Sequence, residues 1–237
     1  MQFRERLIAT LRAIRPVLEE PGVLVIGSEV PNLLEPDARA TLVVSQDIDL
    51  GIPIRSHASV KNRLGQVIGF RPSPEEPSVW LPDAADCIEV NFVGMDPAIT
   101  DASETYVFAD RDLPLLVFGP LSFLRPGAAI RIEGADVPVP RPSGLLLEKL
   151  LTDRSAEKGD RDRLVVLALV LVADAADLDE FAAIYRTIRE ELRHAVRSNL
   201  TILSLMDPLA GMPDPRPYRP RITELLRRLE QIEVESR

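Results

Sequence analysis

Two aspartates stand on alternate positions of one short stretch, "SQDIDLGI" at residues 45–52. This stretch is typical of a β-strand, so Asp47 and Asp49 are expected to project from the same face. Two carboxylates held side by side repel each other and raise each other's pKa unless a cation lies between them. Hard divalent cations prefer oxygen ligands and commonly share them with substrate phosphates. The pair therefore predicts a Mg²⁺ or Mn²⁺ site, and the alternative is a solvated edge strand.

A third carboxylate and a turn that can bind phosphate extend the candidate chemistry. Glu89 lies on the polar side of the alternating stretch "CIEVNF" (87–92) and would join the aspartates if the two strands are neighbours. The alternative for Glu89 is a solvent-facing side chain. Gly27 and Ser28 follow a buried strand, and their backbone N–H groups and hydroxyl can hold a phosphate. Together these parts predict metal-assisted phosphoryl or nucleotidyl transfer.

The elements that must position these residues follow from the apolar periodicity of the first half. The pattern predicts helices over 3–18 and 57–70, strands over 22–27, 41–54, 78–81 and 87–94, and a last hairpin within 129–140. Residues 95–126 show no clear pattern. Alternating short strands and helices of this kind indicate an α/β (α+β) fold built on a mixed sheet.

The spacing becomes helical from Pro142 onward. The predicted helices cover 143–154, 160–174, a long stretch from Leu178 to about Val196 that begins with an Asp177–Glu180 capping box, and 221–235. A proline-rich linker at 207–220 precedes the last helix. We therefore predict two parts, an α/β core at residues 1–141 and a helical domain at residues 142–237 that flanks the cleft.

Composition and charge exclude several classes of protein. The 237-residue chain has a formal net charge of −9, and residues 1–140 carry 12 basic against 20 acidic side chains, so a dedicated nucleic-acid binder is excluded. One cysteine, Cys87, rules out a disulfide framework. The longest apolar run, at 164–173, is too short to span a bilayer. We expect a cytoplasmic protein without a membrane partner.

The chain resembles the nucleotidyltransferase superfamily, which has the fold of DNA polymerase β. "VIGSEV", "SQDIDLGI" and "CIEVNF" are similar to the family's Gly-Ser turn, Asp-x-Asp strand and third acidic strand. The segment "GLLLEKLLTDRSAEKGDRDRLVVLAL" (144–169) is similar to bacterial AbiEii-type nucleotidyltransferases. Two features depart from the pattern. Ser28 and Asp47 are nineteen residues apart, which is longer than in the smallest members of the family. Asp160 and Asp162 are two residues apart, whereas the two acids of the family's helix are usually three apart.

The resemblance implies a set of nucleotide-binding residues in the second half. These would be Lys149, Arg154, Lys158 and Asp162, with the basic side chains contacting phosphates. The choice between Asp160 and Asp162 stays open. Lys149 and Asp153 are four apart on a helix and could instead form a surface ion pair of modest worth.

The resemblance also implies an activity. Such an enzyme moves a nucleoside monophosphate from a nucleoside triphosphate such as ATP to a hydroxyl of an acceptor, with Mg²⁺ or Mn²⁺ bound by Asp47, Asp49 and Glu89. The acceptor could be RNA, a protein or a small molecule, and a toxin with an antitoxin partner is one setting. The alternative is a non-catalytic protein of the same fold that binds a nucleotide or a protein partner.

Overall fold

The computed structural model describes residues 3–34, 45, 47–152, 157–208 and 214–235. These residues form two compact units, Met1–Pro140 and Arg141–Arg237. In the part of the chain that the structure describes, no helix is long and apolar enough to cross a membrane.

The first unit contains four helices and nine strands among its described residues. The helices are α1 (Phe3–Ala13), α2 (Arg15–Leu18), α3 (Val30–Leu34) and α4 (His57–Leu64). The strands are β1 (Leu24–Ile26), β2 (Asp47–Pro53), β3 (Phe70–Pro72), β4 (Val79–Pro82), β5 (Glu89–Met95), β6 (Thr105–Phe108), β7 (Leu115–Phe118), β8 (Ile130–Ile132) and β9 (Ala135–Val137). Short 3₁₀ turns cover Gly27–Glu29, Ile54–Ser56 and Gly119–Phe123.

Seven of these strands form one mixed sheet with β5 near its centre. The order β1-β2-β5-β4-β3 gives the main path, and β7 also pairs with β5 and carries β6. β2 and β7 run parallel to β5, whereas β4 runs antiparallel to it. β8 and β9 form the predicted hairpin. The predicted mixed sheet, which joins the strands of Ile26, Asp49 and Val90, is confirmed.

Apolar side chains of β2 and β5 explain why these strands are central. Ile48, Leu50 and Ile52 are fully buried on one face of β2, and Val90 and Phe92 are buried on the same face of β5. Burying such side chains on folding contributes about 1.5–3 kcal/mol each. That apolar face leaves the polar residues of both strands on the opposite face.

The second unit is helical, as predicted. Its helices are α5 (Pro142–Leu151), α6 (Glu157–Val172), α7 (Ala175–Thr187), α8 (Glu190–Leu205) and α9 (Arg219–Glu235), with a 3₁₀ turn at Arg216–Tyr218. Phe181, Tyr185, Val196, Leu200 and Leu229 are fully buried in its core.

The prediction of one long helix from Leu178 to Val196 is wrong. Ile188 takes an extended conformation, with φ −82° and ψ 158°, and divides the stretch into α7 and α8. The capping box also lies earlier than predicted, because Asp174 and Asp177 exchange hydrogen bonds of 2.8 and 3.1 Å across the start of α7. The apolar periodicity of the sequence continues through Ile188, so the sequence pattern could not locate the break.

The region without a clear sequence pattern contains two further strands. β6 and β7 lie within residues 95–126, and β6 is mostly exposed because it forms an edge of the sheet. Helix α4 also ends earlier than predicted, at Leu64. Ile68 follows the helical spacing of Val60 and Leu64 in the sequence, but it lies beyond the end of the helix and is 86% exposed.

An ion pair ties α4 to the loop between β6 and β7. The Lys61 ammonium donates to both Asp110 carboxylate oxygens at 2.8 and 3.0 Å. The backbone N–H groups of Asp112 and Leu113 donate to Asp110 as well, each at 2.9 Å. The bond from Lys61, followed by these backbone bonds, holds the pKa of Asp110 well below its usual range.

We expect Asp110→Asn to lower the melting temperature at pH 7 by roughly 2–4 °C. A carboxylate whose pKa is depressed on folding stabilises the protein above its unfolded pKa of about 4, and this stabilisation is lost as the pH falls below that value. The difference between parent and variant should therefore shrink below about pH 4. Asp83→Asn is the control, because Asp83 pairs with Arg71 at 3.4 Å in an exposed position. Scanning calorimetry that showed equal losses for both variants would contradict the role of Asp110.

Candidate functional site

The register between β2 and β5 places four polar residues on one face of the sheet. The two strands pair in parallel, with Asp47 opposite Glu89 and Asp49 opposite Asn91. Residues paired in this way point to the same side of a sheet. Asn91 also pairs with Val79 of β4, so it lies within the sheet rather than at an edge.

One amide connects the two aspartates. The Asn91 Nδ2 group donates to Asp47 Oδ2 at 2.9 Å and to Asp49 Oδ1 at 3.2 Å. The other oxygen of Asp47 accepts a short hydrogen bond from the hydroxyl of Ser45, which is buried. Both carboxylates therefore lie within reach of a single side chain, as their alternate positions on the strand require.

The Gly27–Glu29 turn lies against Asp49. Ile26 at the end of β1 pairs with Asp49, and Gly27 follows it with φ +86°, a left-handed conformation that favours glycine. A Cβ atom at Gly27 would stand 2.5 Å from Asp49 Oδ2. The chain therefore needs glycine here for two reasons, its conformation and the close approach of the carboxylate. Ser28 is half-buried in the same turn.

Glu89 lies beside Asp47 and is half-buried. Burial is the main cause that raises the pKa of Glu89, and the negative charges of Asp47 and Glu76 add to it. Among the described residues, no three His, Cys, Asp or Glu side chains converge closely enough to hold a metal ion. The structure thus brings Asp47 and Asp49 together and leaves Glu89 as a neighbour of Asp47.

The donor set around the two aspartates fits a hard divalent cation. Mg²⁺ is commonly held by one or two carboxylates and completes its octahedron with water and substrate phosphates. Asp47 and Asp49 supply those carboxylates, and Gly27 keeps the approach to Asp49 free of a side chain. Asn91 Oδ1 is buried and has no hydrogen-bond partner among the described residues, which marks this amide as a polar group whose bonding is incomplete.

Sequence reasoning missed two residues of this site, Asn91 and Ser45. The alternation that places Glu89 on the polar face of β5 places Asn91 there as well, so the signal was present. Its role depends on the strand register, which pairs Asn91 rather than Glu89 with Asp49. Ser45 stands two residues before Asp47, a spacing at which a hydroxyl commonly bonds nearby backbone and side-chain groups.

Two of the predicted residues of the second unit, Lys149 and Asp162, form a buried ion cluster with Glu148. Lys149 of α5 and Asp162 of α6 are 8% and 7% exposed, and the Lys149 ammonium lies 3.3 Å from Asp162 and 3.2 Å from Glu148. The leucine side of this helix suggests that the Lys149 ammonium points away from the packed face, toward either solvent or the cleft. It does not lie in solvent, because it is buried beside the carboxylates of Glu148 and Asp162. Arg154, Asp153 and the side chain of Lys158 lie outside the described residues.

A cavity of about 370 Å³ adjoins this cluster within the second unit. Lys149 and Asp162 line it from one side, and His194, Ser198 and Asn199 of α8 line it from another. The Asn199 amide donates to the Leu150 carbonyl at 2.7 Å and so ties α8 to the end of α5. Two of the predicted nucleotide-binding residues therefore share one polar cavity.

Three further side chains that could do chemistry or bind a base, Cys87, His57 and Trp80, are partly or fully buried. The Cys87 thiol has a raised pKa, mainly because of burial, so little of the nucleophilic thiolate exists at neutral pH. His57 is buried, its Nε2 lies 2.8 Å from the Leu113 carbonyl, and its ring contacts Phe108. Trp80 meets Phe92 edge to face with ring centroids 6.1 Å apart, as strand packing predicts.

The solved structures that resemble this chain are distant from it in sequence. No protein-family model and no curated protein matches the sequence. Among solved structures, the chain is similar to the antibiotic-resistance factor ANT(2″)-Ia at 15% identity and a TM-score of 0.43, over 79% of this chain and 95% of that one. It is also similar to an antigenic nucleotidyltransferase-like protein from Paracoccidioides brasiliensis at 14% identity and a TM-score of 0.43, over 81% and 92%. Likenesses at these values do not show that the chain belongs to a family.

We expect Gly27→Ala to lower the free energy of unfolding by about 2–4 kcal/mol, because a left-handed alanine is strained and its Cβ meets Asp49. Gly134→Ala is the matched control. Gly134 has φ +85°, but a Cβ there would have nothing within 4 Å, so only the strain of about 1–2 kcal/mol applies.

Denaturant unfolding of double variants that also carry Asp49→Ala separates the backbone strain from the contact with Asp49. Adding Asp49→Ala should recover part of the loss in Gly27→Ala and none of the loss in Gly134→Ala. Additive losses in both pairs would show that Gly27 and Asp49 are not in contact.

We expect Lys149→Met to lower the free energy of unfolding by about 3–5 kcal/mol, since it leaves two buried carboxylates without this ammonium. Arg227→Met is the control, because Arg227 pairs with Glu224 at 2.8 Å on the surface of α9 and should change stability by less than about 0.5 kcal/mol. Adding Asp162→Asn to Lys149→Met should recover part of the loss. A loss for Lys149→Met as small as that of Arg227→Met would contradict the buried cluster.

Proposed function

We propose that this chain is a metal-dependent nucleotidyltransferase that moves a nucleoside monophosphate from a nucleoside triphosphate to a hydroxyl of an acceptor. The observation that carries the proposal is the meeting of Asp47 and Asp49 at a single amide, directly beside the Gly27–Glu29 turn. Paired carboxylates next to a glycine turn are the parts that metal-bound phosphate chemistry requires. The resemblance of "VIGSEV", "SQDIDLGI" and "CIEVNF" to nucleotidyltransferase motifs supports the same reaction.

Each residue of the site has a distinct task in this proposal. Asp47 and Asp49 would hold Mg²⁺ or Mn²⁺, which when bound neutralises triphosphate charge and polarises the phosphate oxygens. The backbone N–H groups at Gly27 and Ser28, with the Ser28 hydroxyl, would orient the phosphates. Glu89 would accept the proton of the acceptor hydroxyl, a task that suits a carboxyl whose pKa is raised.

The transfer needs no reactant besides the nucleoside triphosphate and the acceptor hydroxyl. The acceptor oxygen forms a bond to the α-phosphorus, the bond from that phosphorus to the bridging oxygen of the β-phosphate breaks, and pyrophosphate leaves. The hydroxyl proton goes to the Glu89 carboxylate. The acidic first half of the chain would repel a triphosphate, so the cation is needed for the nucleotide to approach Asp47 and Asp49.

The acceptor in this proposal is RNA, a protein or a small molecule. Lys149 and Asp162 would belong to the nucleotide- or acceptor-binding surface through the cavity of the second unit. A toxin controlled by a protein antitoxin is the setting that the AbiEii-type resemblance of residues 144–169 supports.

A second candidate function is a non-catalytic protein that binds a nucleotide or a protein partner. The observation that favours it is the amide of Asn91 opposite Asp49, together with the finding that no three acidic, histidine or cysteine side chains among the described residues converge. A third carboxylate at that place would have made the site a more complete metal centre.

We expect Asp47→Asn and Asp49→Asn to weaken Mg²⁺-dependent binding of a nucleoside triphosphate by about a hundredfold or more, because each removes a direct ligand. Both variants should melt at a higher temperature than the parent without metal, since each removes one of two crowded charges. Asp86→Asn is the control, because Asp86 is an exposed aspartate near the start of β5. Calorimetric titration with each nucleotide decides this, and affinities equal to the parent's in both variants would remove these aspartates from the metal site.

Incubation with labelled nucleotides and a cell extract separates the two candidate functions. A nucleotidyltransferase transfers α-phosphate label, but not γ-phosphate label, to RNA, protein or a small molecule, and the transfer is lost in Asp49→Asn. A protein that binds the nucleotide with Mg²⁺ and transfers no label under the same conditions is the non-catalytic candidate.

A further inference from the structure

The Asn91 amide bears directly on how a cation reaches the two aspartates. Its Nδ2 group donates to one oxygen of Asp47 and one of Asp49 at the same time, at 2.9 and 3.2 Å. Hydrogen bonds to ionised carboxylates are roughly twice as strong as those between neutral groups. A single nitrogen lies between these two oxygens, so a cation that bridges the same two oxygens must displace the amide from that place.

The register between β2 and β5 determines which side chain lies opposite Asp49. Asn91 lies opposite Asp49 in the parallel pair of β2 and β5, whereas Glu89 lies one step away, opposite Asp47. A carboxylate at residue 91 would add a third negative ligand to the pair. The neutral amide instead supplies a donor, which partly compensates the charge repulsion between Asp47 and Asp49 without a metal.

The Asn91 amide lowers the affinity of the two aspartates for a free divalent cation in two ways. The amide offers the carboxylates an alternative partner, and the pair has one negative charge fewer than a site with aspartate at residue 91 would have. Both effects weaken the affinity for a free divalent cation. A cation that arrives on a triphosphate brings further oxygen ligands with it, so its binding depends less on the protein's own carboxylates.

We propose that Asn91 is an amide clamp on Asp47 and Asp49 that makes the protein take up its divalent cation together with the nucleoside triphosphate rather than before it. This inference rests on the proposed function, since it concerns the same metal site. Asn91 is in this account a positioning residue. It holds the two carboxylates in place and sets the order in which the ligands bind.

Titration of Mn²⁺ alone, followed by calorimetry or by the electron paramagnetic resonance signal of free Mn²⁺, tests the clamp. Asn91→Asp should bind Mn²⁺ alone at least about tenfold more tightly than the parent, because it removes the donor and adds a ligand. Asn91→Ala removes the amide, both the Nδ2 donor and Oδ1, and adds no ligand, and it should bind Mn²⁺ alone about two- to tenfold more tightly. Asn62→Asp, the same change at an exposed position of α4, should leave the affinity unchanged.

The outcomes separate the clamp from the proposed function. The clamp is supported if the parent binds Mn²⁺ with a nucleoside triphosphate at least tenfold more tightly than Mn²⁺ alone and this ratio falls in both Asn91 variants. It is overturned if the parent binds Mn²⁺ alone as tightly as Asn91→Asp, or if Asn91→Ala binds it no more tightly than the parent. A parent that binds neither Mn²⁺ nor Mn²⁺ with nucleotide contradicts the proposed function itself. If Asn91→Asp does not fold, Asn91→Ala carries the test alone.

Discussion

The parallel register between β2 and β5 is the constraint on which the candidate site depends. Three apolar side chains of β2, Ile48, Leu50 and Ile52, are fully buried on one face. Because side chains alternate along a strand, Asp47 and Asp49 must then lie on the opposite face of β2. A slip of one residue would drive both carboxylates into the apolar layer, at a cost of several kcal/mol for each charge.

Two neighbours then decide how the carboxylates are held. Asn91 reaches both of them from β5, and Gly27 lies against Asp49 from the end of β1. β1, β2 and β5 therefore come together at these aspartates. Gly27 has no side chain to block Asp49, and the Asn91 amide donates one hydrogen bond to each aspartate. The two hydrogen bonds from the Asn91 amide help to hold these two like charges close together.

The sequence predicted the elements whose burial follows a simple period. β2 and β5 were predicted from alternation, and the helical second part from its change of period after Pro142. The sequence could not predict the break at Ile188, since the apolar stripe runs through it, nor the weakly patterned strands β6 and β7. The position of Lys149 was also missed. Its place on the helix suggested either solvent or the cleft, but its partners Glu148 and Asp162 form a buried ion cluster that depends on how α5 and α6 pack.

A crystal of the protein grown with Mn²⁺ and a non-hydrolysable nucleoside triphosphate gives the most direct test of the metal site. The anomalous scattering of Mn²⁺ locates the ion without reference to any assumed chemistry. We predict an anomalous peak in contact with carboxylate oxygens of both Asp47 and Asp49, with a triphosphate oxygen as a further ligand. A nucleotide bound elsewhere, with no Mn²⁺ peak beside these two aspartates, would contradict it.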